Sequence, residues 1–171
     1  VFLRPLGPPT WVEVANRDFE SRLRWCVAGK YEDANHKPVI AIPGGLEKTV
    51  KSGETVTLNA DITEPDSLDI DGIWAKYSAL YEQLGFNKES FVEIAPQRYP
   101  KYNAYWWQYK EAGTYNGYID IVAVDSGKST FVAPKVDKPE TLHLILEVTD
   151  TGIPALTTFA RVIVTIFPTD K

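Results

Sequence analysis

The stretch YWWQYKEAGTYNG, residues 105–117, places two adjacent tryptophans and three tyrosines within thirteen residues. Successive side chains of a β-strand point to opposite faces of a sheet, so Trp106 and Trp107 are expected on opposite faces. A tryptophan at the centre of a strand in a two-sheet protein commonly lies in the core. The other ring, with Tyr105 and Tyr109 beside it, is then either covered by another part of the chain or available to stack on a ligand.

Short apolar or alternating runs lie on both sides of this stretch, and each is bounded by Gly, Pro, Asp or Asn. Residues 55–60 alternate clearly, because Val56, Leu58 and Ala60 fall on one face. Seven such runs with turns at regular intervals predict a mainly β chain folded as an antiparallel β-sandwich. The predicted strands are 39–42, 55–60, 105–109, 118–122, 129–133, 141–149 and 158–167.

The N-terminal part predicts a linker followed by a helix. Residues 1–9 contain three prolines and a glycine, which is typical of an extended linker leaving another domain. From Asn16 onward, apolar residues at helical spacing predict a short helix that ends near Gly29. Residues 1–37 are therefore assigned to a linker and helix, and residues 38–168 to the sandwich. The apolar positions of the helix are Phe19, Leu23, Cys26 and Val27.

A second helical pattern lies inside the β region. Asp71 is expected to cap a helix whose apolar face contains Trp74, and Gly85 stands where such a helix would end. Residues 86–103 follow with two prolines and no clear period. The span from about 71 to 103 is therefore predicted to be an insert of helix and loop, and long inserts are often functional.

Composition and charge exclude several classes of protein. Apolar residues make up 44% of the chain and charged residues 24%, as in folded proteins. A formal net charge of -5 argues against nucleic-acid binding, which needs a basic patch. The longest apolar run, residues 162–167, is interrupted by Thr165 and stopped by Pro168, so no membrane insertion is expected. The single cysteine, Cys26, excludes an internal disulfide.

No catalytic motif is recognisable in the sequence. G-x-S-x-G, H-E-x-x-H, a phosphate-binding loop and C-x-x-C are all absent. His36 and His143 have no recognisable partner in sequence, and Cys26 is expected to be a small buried hydrophobe rather than a nucleophile. The sequence therefore predicts no catalytic residues and no cofactor.

An acidic turn leaves calcium open as an alternative. Carboxylates are suitable calcium ligands, but with Gly72 at the sixth position of the EF-hand template, Ser78 occupies the twelfth, where a Glu is required. A calcium site that also uses Asp150 from a distant loop is the remaining possibility. The simpler interpretation is a solvated turn in which Asp71 caps a helix. The acidic residues of the turn are Glu64, Asp66, Asp69 and Asp71.

Four segments together show a family resemblance. The motif EAGTY at residues 111–115 is followed by HLILEVTDTGIPALTTFARVIVTI at residues 143–166, and residues 22–26 and 34–36 precede them. With these segments the chain resembles the C-terminal region of bacterial nucleoside-hydrolase-like proteins described as cellulose-binding. EAGTY also occurs in modules of the polycystic-kidney-disease type from secreted polysaccharide-degrading enzymes.

The resemblance implies a fold, a location and a neighbour. It implies an immunoglobulin-like or cadherin-like sandwich that follows a nucleoside-hydrolase-like domain in a secreted or periplasmic protein. Residues 63–72 depart from the family, in which an acidic turn leads directly to the tryptophan strand. The aspartate cluster D-x-D-x-x-x-D-D of nucleoside hydrolases is missing, so this chain is not expected to hydrolyse nucleosides.

Two functions follow as hypotheses. The first is a non-catalytic accessory domain that packs on the upstream hydrolase-like domain through its N-terminal helix and the insert. The second is a carbohydrate-binding module that contacts a neutral, cellulose-like polysaccharide. Exposed, coplanar aromatic rings would favour the second hypothesis, and buried rings the first. The candidate ligand-binding residues are Trp106, Trp107, Tyr109, Tyr105 and Trp74.

Overall fold

The computed structural model describes residues 11–66, 70–98 and 101–169, so the predicted linker at residues 1–9 lies outside the described residues. Within the described residues the chain forms three α-helices and nine β-strands. The helices are α1 (Trp11–Val27), α2 (Ile70–Gln83) and α3 (Lys88–Arg98). The strands are β1 (Val39–Ala41), β2 (Glu47–Lys51), β3 (Thr55–Asn59), β4 (Asp61–Thr63), β5 (Tyr102–Gln108), β6 (Val122–Ala123), β7 (Lys128–Val132), β8 (Glu140–Asp150) and β9 (Thr157–Phe167).

The strands form three sheets, and the chain is β-rich with a substantial helical part. One sheet has the strand order β2-β9-β8-β5, another β3-β7-β6, and the third pairs β1 with β4. The central strands β8 and β9 are eleven residues long and antiparallel. The parallel pairing of β2 with β9 differs from the antiparallel sandwich predicted, since β2 reaches the sheet edge after a crossover instead of a hairpin. The other described strand pairs are antiparallel.

The main core lies between the four-stranded and the three-stranded sheets. Alternate residues of β8 and β9 point toward it, and their fully buried side chains contribute about 1.5–3 kcal/mol each relative to exposure. Trp106 projects into the same cluster from β5. The buried members contributed by the strands are Val56, Leu58, Trp106, Phe131, Leu142, Leu144, Leu146, Val148, Val162, Val164 and Ile166.

The helices α2 and α3 form a hairpin between β4 and β5, with a small core of its own. Phe91 is fully buried in it, and the rings of Trp74 and Tyr81 lie 5.3 and 4.7 Å from the Phe91 ring. Ala95 completes the buried part of this cluster. The predicted helical stretch after residue 71 thus consists of two helices that bury their aromatic residues mainly against each other.

The sequence did not resolve α3 within residues 86–103, although a capping signal was present. The side chain of Asn87 accepts a hydrogen bond from the Ser90 N–H at 2.9 Å, and the Ser90 hydroxyl accepts one from the Asn87 N–H at 3.1 Å. This reciprocal arrangement stabilises the start of the helix. Asp71 lies in the first turn of α2 rather than at its cap, and pairs with Lys88 at 2.8 Å.

The strand predicted at residues 118–122 is wrong for most of its length, because β6 contains only Val122–Ala123. The Gln108 side chain donates to the Gly117 carbonyl at 3.0 Å and accepts from the Ile119 N–H at 3.2 Å. These backbone groups are therefore bonded to a side chain instead of a neighbouring strand. Alternation in sequence cannot show such a competing partner.

The helix α1 begins earlier than predicted, since it already includes Trp11, whose ring lies edge-on against Phe159 at 5.1 Å. Asn16 therefore lies inside the helix and is not its cap. Cys26 is exposed, which corrects the expectation that it is buried. None of the three described helices has the length and hydrophobicity required to span a bilayer.

Candidate functional site

The strand β5 places its two tryptophans on opposite faces, as the alternation predicted. Trp106 stands opposite Leu146 in the core, and its indole N–H donates to the Gly127 carbonyl at 3.2 Å. Trp107 stands opposite Ile145 on the other face of the four-stranded sheet, called here the outer face. Both rings are nevertheless buried, with exposed fractions of 7% and 9%. The outward tryptophan is therefore not an open platform.

The remaining candidate aromatic residues are divided between two regions. Tyr105 and Tyr109 are half-buried, and the Tyr109 ring meets Trp107 edge-on at 5.9 Å. Trp74 belongs to the cluster of the helical hairpin. The structure thus brings Tyr105, Trp107 and Tyr109 together, and places Trp106 inside and Trp74 elsewhere. Their role in ligand binding stays a prediction.

Two polar side chains, Glu147 and His143, also lie on the outer face. Glu147, opposite Tyr105, is only 4% exposed, and its Oε2 atom meets no hydrogen-bond partner among the described residues. His143 lies on the face away from the leucines of β8, as predicted. Burial, with a smaller effect of Arg161, lowers the pKa of His143 and so favours the neutral ring. The signal for Glu147 was an acidic residue within an apolar strand.

A second polar region lies where α1 meets the end of the sheets, at residues 35–37, called here the 35–37 segment. The Asn35 side-chain amide donates to Asp150 at 2.9 Å and to the Pro154 carbonyl at 2.8 Å. A side chain at position 152 would collide with Asn35, so Gly152 allows this approach. The segment is therefore fixed to the loop between β8 and β9.

His36 is the centre of this region, and its partners were not recognisable in the sequence. Its backbone N–H donates to Asp66 at 2.5 Å, and its Nδ1 atom lies 2.9 Å from the second oxygen of the same carboxylate. The imidazole ring stacks on Tyr31 at 3.6 Å and on Trp25 at 5.6 Å, with interplanar angles of 9° and 14°. His36 thus joins α1, the following turn and the acidic turn.

Three carboxyl groups lie next to the 35–37 segment and are called here the acid cluster. They belong to Glu64, Asp66 and Asp150. Burial raises the pKa of Glu64 to about 7, and the charges of Asp150 and Asp66 add to the increase. Burial also raises the pKa of Asp150, although hydrogen bonds from Leu156, Asn35 and Gly152 oppose the shift. Lys101 is the nearby cation and donates to the Asp66 carbonyl at 3.2 Å.

Where the structure describes them, the acidic residues of the turn lie in different parts of the molecule. Asp71 belongs to α2, and Asp69 lies outside the described residues. The carboxylates of Asp66 and Asp150 already accept hydrogen bonds from His36, from Asn35 and from backbone N–H groups. In the part of the chain that the structure describes, no group of three or more His, Cys, Asp or Glu residues is arranged to hold a metal ion.

The helix α1 turns its apolar side away from the sheets. Ser21 is buried on the inner side, where its hydroxyl donates to the Asn35 carbonyl at 3.2 Å. At 3.6 residues per turn, a row of large apolar residues falls on the opposite side. This row, called here the outer stripe, consists of Val12, Phe19, Leu23 and Val27, with exposed fractions of 66%, 64%, 54% and 85%.

Comparisons with known proteins agree with the sequence resemblance. Residues 98–166 match the family model described as the C-terminal domain of cellulose-binding protein Sde0182. The resemblance is confirmed over these residues. They include β5 to β9 with both tryptophans of β5, but not α1 or most of the helical hairpin.

One solved structure is similar over most of the chain. It is a nucleoside hydrolase-related hypothetical protein from Saccharophagus degradans, described as associated with carbohydrate metabolism. The similarity covers 91% of the chain at 22% identity, with a TM-score of 0.67, and shows a shared fold. The chain spans 32% of the length of that protein.

Two other solved structures match the chain more weakly. A 2,6-sialyltransferase from a Photobacterium species matches 72% of the chain and 17% of its own length, at 13% identity and a TM-score of 0.36. The extracellular domain of protocadherin GammaB4 matches 79% of the chain and 17% of its own length, at 16% identity and a TM-score of 0.39. A search of curated proteins found no match.

Proposed function

We propose that the chain is a non-catalytic accessory domain of a longer, nucleoside-hydrolase-related protein, and that α1 packs against the neighbouring domain. The outer stripe of α1 is the observation that carries this proposal, because large apolar side chains at helical spacing remain exposed. The similar Saccharophagus protein is about three times as long as the matching part, which supports a neighbouring domain.

The charges beside the outer stripe are suited to burial at an interface. Asp18 pairs with Arg22 at 2.9 Å and Glu20 with Arg24 at 2.7 Å, both within the helix. A partner that covers the stripe therefore meets these four charges already paired and does not need to supply counter-ions for them. The 35–37 segment contacts the inner side of the helix, so the stripe faces away from the sheets.

The finer fold class and the location belong to the same proposal. An immunoglobulin-like or cadherin-like sandwich is supported by the single core shared between the four-stranded and three-stranded sheets. A secreted or periplasmic location and the absence of catalysis rest on the family resemblance, and the matched family description supports the accessory role.

Polysaccharide binding is the second candidate, and the outer face of the four-stranded sheet is the surface for it. Tyr105 lies there opposite Glu147, and the rings of Trp107 and Tyr109 meet edge-on, a combination of rings and carboxylate that suits sugar hydroxyls and ring faces. The family name refers to cellulose binding. Because Trp107 is only 9% exposed, a sugar needs a rearrangement to reach it, so the docking proposal is favoured.

Thermal unfolding of the longer protein tests the docking proposal. The double substitution Phe19→Ser and Leu23→Ser should separate the unfolding transitions of the two domains, and the isolated chain with the same changes should retain its own transition. Arg17→Ser, on an exposed part of the same helix, is the matched control. If the unfolding transitions of the two domains do not separate in the double variant, docking through α1 is refuted. Retention on insoluble cellulose that Trp107→Ala abolishes would instead support the second candidate.

A further inference from the structure

The attachment of α1 to the rest of the chain depends on very few groups. Its described hydrogen bonds and ion pair to other elements all end on the 35–37 segment: Ser21 and Trp25 donate to the Asn35 carbonyl, and Asp18 pairs with Lys37. The ring contact between Trp11 and Phe159 lies near the other end of the helix. The position of the C-terminal half of α1 therefore follows the position of the 35–37 segment.

The 35–37 segment, in turn, is held by the acid cluster. Asp66 accepts both hydrogen bonds from His36, and Asp150 accepts the one from the Asn35 amide. Glu64 stands behind them, where its Oε1 atom accepts the Asp66 N–H at 3.1 Å and its Oε2 atom is buried with no described hydrogen-bond partner. The two carboxylates that hold the segment thus face a third carboxyl group.

We propose that the acid cluster is a proton-controlled latch for α1, closed when Glu64 carries a proton and loosened when Glu64 is ionised. A proton on Glu64 removes one negative charge from the cluster. Ionisation adds a negative charge beside the carboxyl groups of Asp66 and Asp150, with Lys101 as a neighbouring cation. Repulsion in a partly buried site then weakens the geometry in which Asp66 and Asp150 hold the 35–37 segment.

The latch changes between its closed and its loosened state near neutral pH. Burial raises the pKa of Glu64 to about 7, so the group changes its charge close to neutrality. The other groups that face the cluster are Asp66, Asp150, Lys101 and His36. Below neutral pH the latch is closed, and above it the C-terminal half of α1 gains freedom. This mechanism does not depend on the proposed docking of α1.

Cys26 provides a direct probe of this motion, because it is the single cysteine, is exposed and lies on α1. A nitroxide attached to Cys26 reports the mobility of the helix through its electron paramagnetic resonance spectrum. Between about pH 6 and about pH 8.5 we expect the mobile fraction to rise several-fold with a midpoint near 7, following the Glu64 carboxyl. The whole chain is used throughout.

Two variants separate the latch from other effects. Glu64→Gln preserves the shape and the acceptor for the Asp66 N–H, and should keep the low mobility of the closed latch across the whole range. Glu54→Gln, an exposed residue between β2 and β3, is the matched control and should behave like the unmodified chain. A spectrum that does not change with pH would overturn the proposal. A pH-dependent mobility that persists in Glu64→Gln would also overturn it. This includes a pH dependence that is removed only by His36→Asn.

Discussion

The two helical regions of the molecule use similar apolar patterns in opposite ways. The hairpin of α2 and α3 buries Tyr81, Phe91 and Ala95 between its own helices. The helix α1 has an equally regular row, but Phe19 and Leu23 face away from the rest of the described chain. An amphipathic pattern therefore indicates that a surface can be buried, but does not identify what buries it. In the hairpin the partner is local, and for α1 we propose that it is another domain.

The largest loss of stability is expected when a buried aromatic residue of the hairpin or of the main core is replaced by alanine. Phe91→Ala should lower the free energy of unfolding by about 3–5 kcal/mol, because a fully buried ring leaves a cavity. Trp106→Ala should have an effect of the same size, since its ring fills the core between the sheets. Chemical denaturation monitored by circular dichroism measures both. A loss below about 1 kcal/mol for Phe91→Ala would mean that the hairpin core contributes little.

Trp107→Ala tests whether the outer face is closed. We expect a loss of about 2–4 kcal/mol, because the ring is 9% exposed and packs edge-on against Tyr109. The substitution Tyr118→Ala is the control, since that ring is 83% exposed and should cost little. If Trp107→Ala leaves stability nearly unchanged while it weakens cellulose retention, the outer face is an open sugar-binding surface and the docking proposal loses its advantage.

Glu64→Gln should have an intermediate, pH-dependent effect. The folded protein raises the pKa of Glu64 from its ordinary 4.5 to about 7, so it binds this proton more tightly than the unfolded chain does. Stability is therefore expected to fall as the pH rises from about 4.5 to about 7. Because the carboxyl group is partly exposed, we expect Glu64→Gln to raise the free energy of unfolding by only about 1–2 kcal/mol at pH 8. Equal denaturation midpoints of both proteins at pH 8 would contradict this.

The smallest change in stability is expected from substitutions in the outer stripe of the isolated chain. Phe19→Ser should change the free energy of unfolding by less than about 0.5 kcal/mol, because its side chain is 64% exposed and leaves no cavity. The contrast with Phe91→Ala sharpens the comparison of the two helical regions. A loss comparable to that of Phe91→Ala would show that the outer stripe is already covered within this chain.

The strands with strong alternation were predictable from sequence, and the contacts between distant segments were not. β3, β8 and β9 follow from their alternating apolar residues. β5 was predicted from its aromatic run at residues 105–109, but the strand begins earlier, at Tyr102, and ends at Gln108. β4 is three residues long, and β2 contains three charged residues and a single apolar one, Val50, so neither stands out in the sequence. The capping pair of Asn87 and Ser90 was visible in sequence, but the weak apolar periodicity of α3 obscured it.

The candidate site was predictable only in part, for the same reason. Alternation correctly separated Trp106 from Trp107, but the burial of both depends on neighbours that sequence spacing does not identify. The pair of His36 and Asp66 joins residues thirty positions apart, and Asn35 meets Asp150 across 115 positions. Such contacts are fixed by the fold and have no local signal.

The most direct test of the central claim is the alkylation rate of Cys26, which lies on α1 beside the outer stripe and is exposed in this chain. The rate is measured in the isolated chain and in the proposed longer protein with its neighbouring domain. A Cys26→Ser, Lys135→Cys variant provides an exposed thiol elsewhere as a control. Docking through α1 predicts that Cys26 reacts at least about tenfold more slowly in the longer protein while the control thiol is unaffected. Equal rates for Cys26 in the two proteins would contradict it.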